Sequence, residues 1–215
     1  MSIEVTTKDC AALGDAELAE MADLTAGTIG WEVGTLGKQV EEWVLISQAH
    51  RDGKLHGFLF ITLERIGGTP AMVIGLAATV AGKNGGAALR ALMNEQYHRA
   101  LMAFPDEDVL VAGRVIEAGG LAAFDKVTDL RPCDGVRING EERAWGRRLS
   151  KRYGATSFDD RTMIARGDGD RMVIDHAPTG DPRPCEALDN CDVASGDFVI
   201  AWGWAMAEFL EKCRA

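Results

Sequence analysis

The sequence lacks the features that would place it among disulfide-rich, metal-binding or membrane proteins. Its five cysteines include no Cys-x-x-Cys pair and are odd in number, so we expect free thiols and predict no metal site. Cys185 and Cys191 have no histidine near them, which favours reduced cysteines over a zinc site. No apolar run approaches the ~18 residues of a membrane span, and the opening MSIEVTTKDC lacks the charged-then-apolar order of a secretory signal. We therefore expect a cytoplasmic protein with no membrane partner.

Positive charge is also scarce. The chain has 23 Lys and Arg residues against 33 Asp and Glu residues, which gives a formal net charge of -10. This balance disfavours a partner that is bound through its phosphate backbone, so we expect no nucleic-acid partner. The charge is uneven, because residues 131–152 hold 7 basic and 3 acidic side chains whereas residues 168–215 hold 4 basic and 10 acidic ones. The basic stretch is compatible with one ligand that carries phosphate groups.

Strand-like and helical segments follow one another along the chain. A hydrophobic content of 47% over 215 residues is enough for one large domain with a substantial core. Between residues 43 and 80, turns at 51–54 and 67–70 separate three apolar runs, and the Asp-Gly pair of the first turn favours a hairpin. Segments 15–24 and 87–104 carry apolar residues at helical spacing. The pattern predicts an antiparallel meander with helices before and after it.

The composition changes after residue 176. Turn residues, Cys, Asp and Asn dominate up to residue 196, and the segment FVIAWGWAMAEFLEKCR follows. We predict a domain over residues 1–176 and a C-terminal extension over 177–215, in which an acidic linker leads to an apolar helix. This helix is too apolar to stand alone in water, so we expect it to pack on its own domain or on a second subunit, the latter giving a homodimer.

A glycine-rich junction joins the third strand of the meander to the long helix. Gly85 and Gly86 stand where the strand has ended and the helix begins. Backbone N–H groups at such a turn, and at the first turn of a helix, bind anions such as phosphate. The motifs G-x-x-x-x-G-K-[ST] and G-x-G-x-x-G are both absent, so neither an ATPase nor a dinucleotide enzyme is supported. The alternative is a structural glycine turn that binds no ligand.

Three short stretches resemble motifs of the GNAT superfamily of acyl-CoA-dependent N-acyltransferases. The run KNGGAA, residues 83–88, is similar to the superfamily pattern [QR]-x-x-G-x-[GA], with lysine in the first position. RDGKLHGF, residues 51–58, resembles a turn and strand common in the family, and RLSKRYGA, residues 148–155, resembles the end of its fourth helix. In topology the resemblance covers about residues 3–176. It implies an α/β (α+β) fold with a mixed, mostly antiparallel sheet flanked by helices.

The resemblance also implies where a cofactor would bind. Acetyl-CoA, or another acyl-CoA, would place its pyrophosphate on the amides of the glycine junction and would pair its pantetheine arm with the main chain that ends the preceding strand. A basic side chain of the fourth helix would neutralise the adenosine phosphates. The residues implied for cofactor binding are Ala78, Thr79, Val80, Lys83, Asn84, Gly85, Gly86, Ala87, Ala88 and Arg147.

The resemblance gives two candidate catalytic residues that would handle protons. Ser150 occupies the position of the family's frequent general-acid tyrosine, four residues before the helix-ending Gly154. The strand before the glycine junction has no carboxylate to act as a general base, so our candidate is Glu117, which follows the next apolar strand. The alternative for Glu117 is a solvated loop carboxylate. His50 and His56 could face the substrate as well.

Two functions of different classes are compatible with these observations. The first is an acyl-CoA-dependent N-acetyltransferase that acts on a small-molecule amine by direct attack on the thioester. The second is a degenerate module of the same fold that binds acyl-CoA, or nothing, and serves in sensing or assembly. The glycine junction favours the first, and the missing acid and base residues favour the second.

Overall fold

The computed structural model describes residues 3–26, 30–167, 174–175 and 185–213. The predicted meander and the helices before and after it form as the sequence predicts, whereas the helix over Val33–Glu42 was not predicted. The strands are β1 (Glu4–Asp9), β2 (Leu45–Arg51), β3 (Lys54–Ile66), β4 (Thr69–Thr79), β5 (Val109–Val115), β6 (Thr128–Arg131), β7 (Ser157–Asp159), β8 (Ile164–Arg166), β9 (Ile174–Asp175) and β10 (Asp197–Ala205). The helices are α1 (Asp15–Thr25), α2 (Val33–Glu42), α3 (Lys83–Ala103), α4 (Gly140–Arg152), α5 (Glu186–Asp189) and α6 (Ala207–Lys212).

The strands of the described residues form one sheet. Their order is β1-β2-β3-β4-β9-β5-β10-β8-β7, and β6 pairs with β10. Neighbours are antiparallel except for β4, β5 and β9, which run parallel to one another. The Asp-Gly turn between β2 and β3 forms as predicted, with positive φ at both Asp52 and Gly53. The predicted fold class, a mixed and mostly antiparallel sheet flanked by helices, is confirmed.

Helices cover both faces of this sheet. On one face α3 and α6 bury Leu92, Tyr97 and Leu210 in a shared core. On the other face α1, α2 and α4 bury side chains that include Met21 and Leu149 in a second core. The strand β4 lies between the two cores, and its residues are buried from its second position to its end. Burial on both sides explains why β4 is built from small apolar residues without alternation.

The predicted apolar helix at the C-terminus is wrong over most of its length. Residues Asp197–Ala205 form the strand β10, and only Ala207–Lys212 are helical. β10 pairs antiparallel with β5 from Val199↔Val115 to Ala205↔Val109. A short apolar run that is buried on both faces has no period that distinguishes a central strand from a buried helix, so the sequence was ambiguous here. Phe198 and Trp202 are buried in the chain's own core, so these two side chains offer no exposed surface to a second subunit. The homodimer stays a prediction.

The predicted domain boundary at residue 176, together with residues 177–184 of the predicted linker, lies outside the described residues. β10, the next strand after these residues, pairs with β5 and so belongs to the same sheet. Among the described helices, none is both long enough and apolar enough to pass through a bilayer.

Candidate functional site

The parallel strands β4 and β5 pair at one end and part at the other. Their register runs from Ala71↔Leu110 to Val73↔Ala112, and no described pair joins them beyond that point. The short strand β9 lies in the gap, where it pairs with β4 and with Val115 of β5. Ligands of open α/β sheets bind beyond the carboxyl ends of parallel strands, at a crevice of this kind. The gap between β4 and β5 is therefore the candidate functional site.

The N-terminus of α3 lies directly beyond the end of β4. Gly82 caps the helix at a φ of 76°, a left-handed value that suits glycine, and Gly86 N donates to Gly82 O over 3.3 Å. The first amides of this 21-residue helix lie at its positive end, where they can hold an anion. Arg51, the last residue of β2, donates from Nη1 to Asn84 Oδ1 over 3.0 Å. The side chain of the neighbouring residue Lys83 is exposed. The structure thus brings Asn84 of the glycine junction together with an arginine from the end of β2.

Gly85 has a packing role that is independent of any ligand. A Cβ built on this residue would lie 1.8 Å from Val80 O, so only glycine lets the helix approach the end of β4 this closely. This observation supports the structural alternative for the glycine turn as well as the anion site, because the same close approach places the helix amides at the gap.

Replacing Gly85 with alanine should therefore destabilise the chain by about 1–3 kcal/mol, the usual range for overpacking. The matched control is Gly37→Ala in α2, where a Cβ would meet nothing within 4 Å. The control should be neutral or stabilising by up to about 1 kcal/mol, because alanine is the better helix former. Urea unfolding of both variants measures the difference, and equal midpoints would contradict the packing role of Gly85.

The main chain predicted to pair with a pantetheine arm is already hydrogen-bonded along part of its length. Ala77 and Ala78 of β4 pair with Ile174 and Asp175 of β9. On the opposite side, Val80 N donates to the backbone oxygen of His56 in β3 over 2.9 Å. β9 thus occupies part of the β4 main chain to which a ligand could form hydrogen bonds.

Glu117 lies two residues beyond the end of β5, at the same end of the sheet as the gap. It is half-buried, and its carbonyl accepts a hydrogen bond from Gly120 N over 3.0 Å at the start of a 3-10 turn, Ala118–Phe124. Its position next to Val115, which pairs with β9, is consistent with the predicted role of a base beside the gap. The role itself stays a prediction.

Ser150 uses its hydroxyl within its own helix. The side chain is buried, and Oγ donates to Arg147 O over 3.0 Å. A hydroxyl bonded back to the preceding turn is a common arrangement for serine in a helix and carries no proton towards the sheet. The predicted acid role of Ser150 stays a prediction that this geometry does not favour.

Tyr153 places a phenol where β4 and β5 part, and the sequence reasoning missed it. Its hydroxyl donates to Ile74 O over 3.0 Å, and Ile74 directly follows the last residue of β4 that pairs with β5. Burial raises the pKa of the Tyr153 hydroxyl, so this group keeps its proton through the neutral range. The sequence signal that could have identified Tyr153 is its position directly before Gly154, the glycine that ends α4 with a φ of 66°.

A buried arginine on β5 adjoins the same phenol. Arg114 is 4% exposed, and its guanidinium carbon lies 5.0 Å from the ring centroid of Tyr153 and 5.7 Å from that of Phe198. Trp43 adds a third ring at 6.0 Å. Aromatic faces attract a desolvated cation, so these rings hold a positive charge beside the gap. Neither the charge nor the aromatic set was predicted as part of the site.

Arg147 is exposed and is paired with the carboxylate of Asp160. Another basic residue of α4, Arg152, pairs with Glu64 over 2.6 Å. Two basic side chains of α4 therefore form ion pairs within the chain itself. Binding of adenosine phosphates by Arg147 stays a prediction.

No family model and no curated protein matches the chain. Among solved structures it is similar to the ribosomal-protein-S18-alanine N-acetyltransferase from Escherichia coli, with 13% identity, a TM-score of 0.48, and coverage of 94% of this chain and 95% of that one. It is also similar to the aminoglycoside 6'-N-acetyltransferase from Enterococcus faecium, with 17% identity, a TM-score of 0.40, and coverage of 59% and 74%.

A third similar structure is a GNAT family acetyltransferase from Brucella melitensis in complex with acetyl-CoA, with 15% identity, a TM-score of 0.36, and coverage of 50% and 75% of the two chains. At these identities the likeness concerns the fold alone. At these identities and TM-scores, the three similarities do not show to which family the chain belongs.

Proposed function

We propose that the chain is an acyl-CoA-dependent N-acyltransferase of the cytoplasm that transfers an acetyl or other acyl group to the amine of a small molecule. The observation that carries the proposal is the parting of β4 and β5 beside the N-terminus of α3. A crevice between parallel strands offers main-chain hydrogen bonds, and a helix N-terminus beside it offers amides for phosphate. Both are needed by a cofactor that joins a pyrophosphate to an extended amide-bearing arm.

The residues around the helix start fit an anionic group. Arg51 lies within hydrogen-bond distance of Asn84, the second residue of α3, and Lys83 is exposed at the first. Two cations and the positive end of a helix in one place offset part of the charge of a pyrophosphate. The Arg51 contact supports the proposal that this end of the gap accommodates phosphate.

The proposed reaction is direct transfer. Acyl-CoA supplies an activated thioester, and the amine forms a bond to its acyl carbon while the carbon–sulfur bond breaks. Glu117 takes the proton that the ammonium loses before attack, and Tyr153 gives a proton to the departing sulfur. The second proton, which leaves the nitrogen as the amide forms, returns to the Tyr153 phenolate. Burial raises the pKa of the Tyr153 hydroxyl, so the phenol still holds its proton at neutral pH when the sulfur departs. In this proposal Tyr153 replaces Ser150 as the proton donor.

A second candidate function is the degenerate module that lacks catalysis, and one observation favours it. The strand β9 pairs with Ala77 and Ala78, where an extended arm would otherwise bind β4. A chain in which β9 occupies the gap between β4 and β5 would keep the fold without the reaction.

A thiol-release assay with acetyl-CoA and a panel of small amines separates the two functions. The proposed enzyme releases CoA only when an acceptor amine is present. Binding of acetyl-CoA without any amine-dependent thiol release would favour the degenerate module and contradict the proposed reaction.

Replacing Arg51 with alanine should weaken acetyl-CoA binding about 3- to 10-fold, since one charge-assisted hydrogen bond contributes roughly 1 kcal/mol or slightly more. The matched control is Arg65→Ala, an exposed arginine of β3 that pairs with Glu107 over 2.6 Å. Titration calorimetry on the two variants measures the difference. Equal affinities for acetyl-CoA would remove Arg51 from the phosphate site.

A further inference from the structure

A cavity of about 590 Å³ lies at the edge of the sheet beyond β10, apart from the site between β4 and β5. The loop 132–138, the first turns of α4, the turn after β7 and the start of α5 form its walls. β6 pairs with β10 on one side of this region and β8 pairs with β10 on the other. The strands β5 and β10 therefore separate the cavity from β4 and from the glycine junction. Nothing in the proposed acyl transfer uses this cavity.

Three arginines from three different segments line it: Arg137 from the loop, Arg143 from α4 and Arg161 from the turn after β7. None of the three pairs with a carboxylate of the described residues, although six other arginines of the same residues do. This difference is unexpected in a chain with 33 acidic and 23 basic residues, in which carboxylates are plentiful. The cavity thus gathers three arginines that form no ion pair with a carboxylate of the described residues.

The guanidinium of Arg143 is the most enclosed of the three. Arg143 is half-buried, and its Nε is shielded from solvent without a hydrogen-bond acceptor among the described residues. An enclosed N–H without an acceptor destabilises the folded chain, and an oxyanion in the cavity would relieve this cost. The position of this donor therefore indicates what chemistry a ligand should bring.

The two acidic residues of the lining do not balance the arginines. Asp134 accepts a hydrogen bond at Oδ1 from Glu186 N over 2.7 Å, so its carboxylate is already engaged at the start of α5. Glu186 is exposed. Three positive and two negative side chains leave the lining with a net charge of +1 within a protein of net charge -10.

We propose that this cavity is a second binding site, for a small molecule that carries two anionic groups, either carboxylates or phosphates. Its volume falls within the ~300–1,000 Å³ of small-molecule pockets. The planar fork of a guanidinium matches the oxygens of both groups, and three forks on separate walls can hold two such groups at once. Thr162 and Asn190 of the same lining offer hydrogen bonds to the neutral part of the molecule. The site does not depend on the acyltransferase proposal.

Cys133 provides a reporter for this site, because it is exposed and lies in the cavity lining. Burial raises the pKa of Cys10 to about 12 and also raises the pKa of Cys185, so these thiols react slowly near pH 8. The rate of Cys133 alkylation by iodoacetamide, located by peptide mass spectrometry, can therefore be followed in the full chain. The probes are succinate, which carries two carboxylates, pyrophosphate, which carries two phosphate groups, and inorganic phosphate, which carries one. Each is compared with chloride at equal ionic strength.

We expect at least one of the probes that carry anionic oxygens to slow Cys133 alkylation several-fold in a saturable manner. Arg143→Gln should abolish that protection, and Arg161→Gln, a change on an exposed turn, should weaken it in a chain of unchanged melting temperature. The matched control is Arg148→Gln, an exposed arginine of α4 outside the cavity. Succinate and pyrophosphate distinguish a carboxylate ligand from a phosphate one, and equal protection by inorganic phosphate would contradict a ligand with two anionic groups. Absence of protection by every probe, or equal protection in the Arg161 and Arg148 variants, would overturn the proposal.

Discussion

Tyr153→Phe should lower kcat for acyl transfer about 100-fold, the lower end of what general-acid catalysis contributes. The reason is the position of the phenol, which donates to Ile74 O at the point where β4 and β5 part. Affinity for acetyl-CoA should change little, since the ring stays in place and only the proton donor is lost. Thiol release under saturating acetyl-CoA measures kcat, and titration calorimetry measures the affinity.

The matched control for this variant is Ser150→Ala, which removes a hydroxyl that donates to Arg147 O within α4. Its kcat should stay within about 3-fold of the parent chain, a difference of less than 1 kcal/mol in the barrier. A large loss in the serine variant and none in the tyrosine variant would restore Ser150 as the acid and contradict the role proposed for Tyr153.

The pH dependence follows from the same group. Burial raises the pKa of the Tyr153 hydroxyl above its ordinary value, so the protonated form that donates is fully populated below that ordinary value. The activity should therefore show no loss that depends on Tyr153 between about pH 7 and 9. A falling limb in this range that disappears in Tyr153→Phe would contradict a raised pKa.

Gly75→Ala should destabilise the chain by about 3 kcal/mol, the upper end of the usual cost of overpacking. A Cβ on Gly75 would lie 2.2 Å from Cε2 of Trp43. The indole cannot easily move away, because Trp43 is 3% exposed and its Nε1 donates to Gln39 Oε1 over 2.8 Å. The same ring lies 5.0 Å from the guanidinium carbon of Arg152. The substitution should therefore strain the contact between β4 and the C-terminal end of α4, where Tyr153 follows the helix.

Urea unfolding of Gly75→Ala measures this effect, with Gly34→Ala as the control in a helix where a Cβ would meet nothing within 4 Å. The midpoint of the Gly75 variant should fall while the slope with denaturant stays the same, since the folded state and not the unfolded one is strained. A midpoint equal to that of the control would show that Trp43 can repack at no cost.

Local chemistry explains what the sequence could predict. The Asp-Gly turn and the small apolar run after it fixed β3 and β4 without any knowledge of distant residues. The glycine junction was found for the same reason, because a strand end, two glycines and a helical pattern follow one another directly. The packing of Gly85 against Val80 O shows that this signal has a structural cause in addition to any functional one.

The parts that were missed depend on contacts between residues far apart in the chain. β10 is a strand because β5 pairs with it along seven positions, and the same apolar run could bury itself as a helix without that partner. Tyr153 belongs to the site only because β4 and β5 part at the residue whose carbonyl it contacts. The motif comparison selected Ser150 by its spacing from Gly154, and spacing does not show which side chain reaches the sheet.

Titration of acetyl-CoA into the full chain, followed by calorimetry, tests most directly whether the gap between β4 and β5 is a cofactor site. The account predicts one binding site per chain, competition by CoA, and an affinity that Arg51→Ala lowers while Arg65→Ala does not. Absence of saturable binding at millimolar acetyl-CoA, in a sample shown to be folded by its cooperative urea unfolding, would contradict the account.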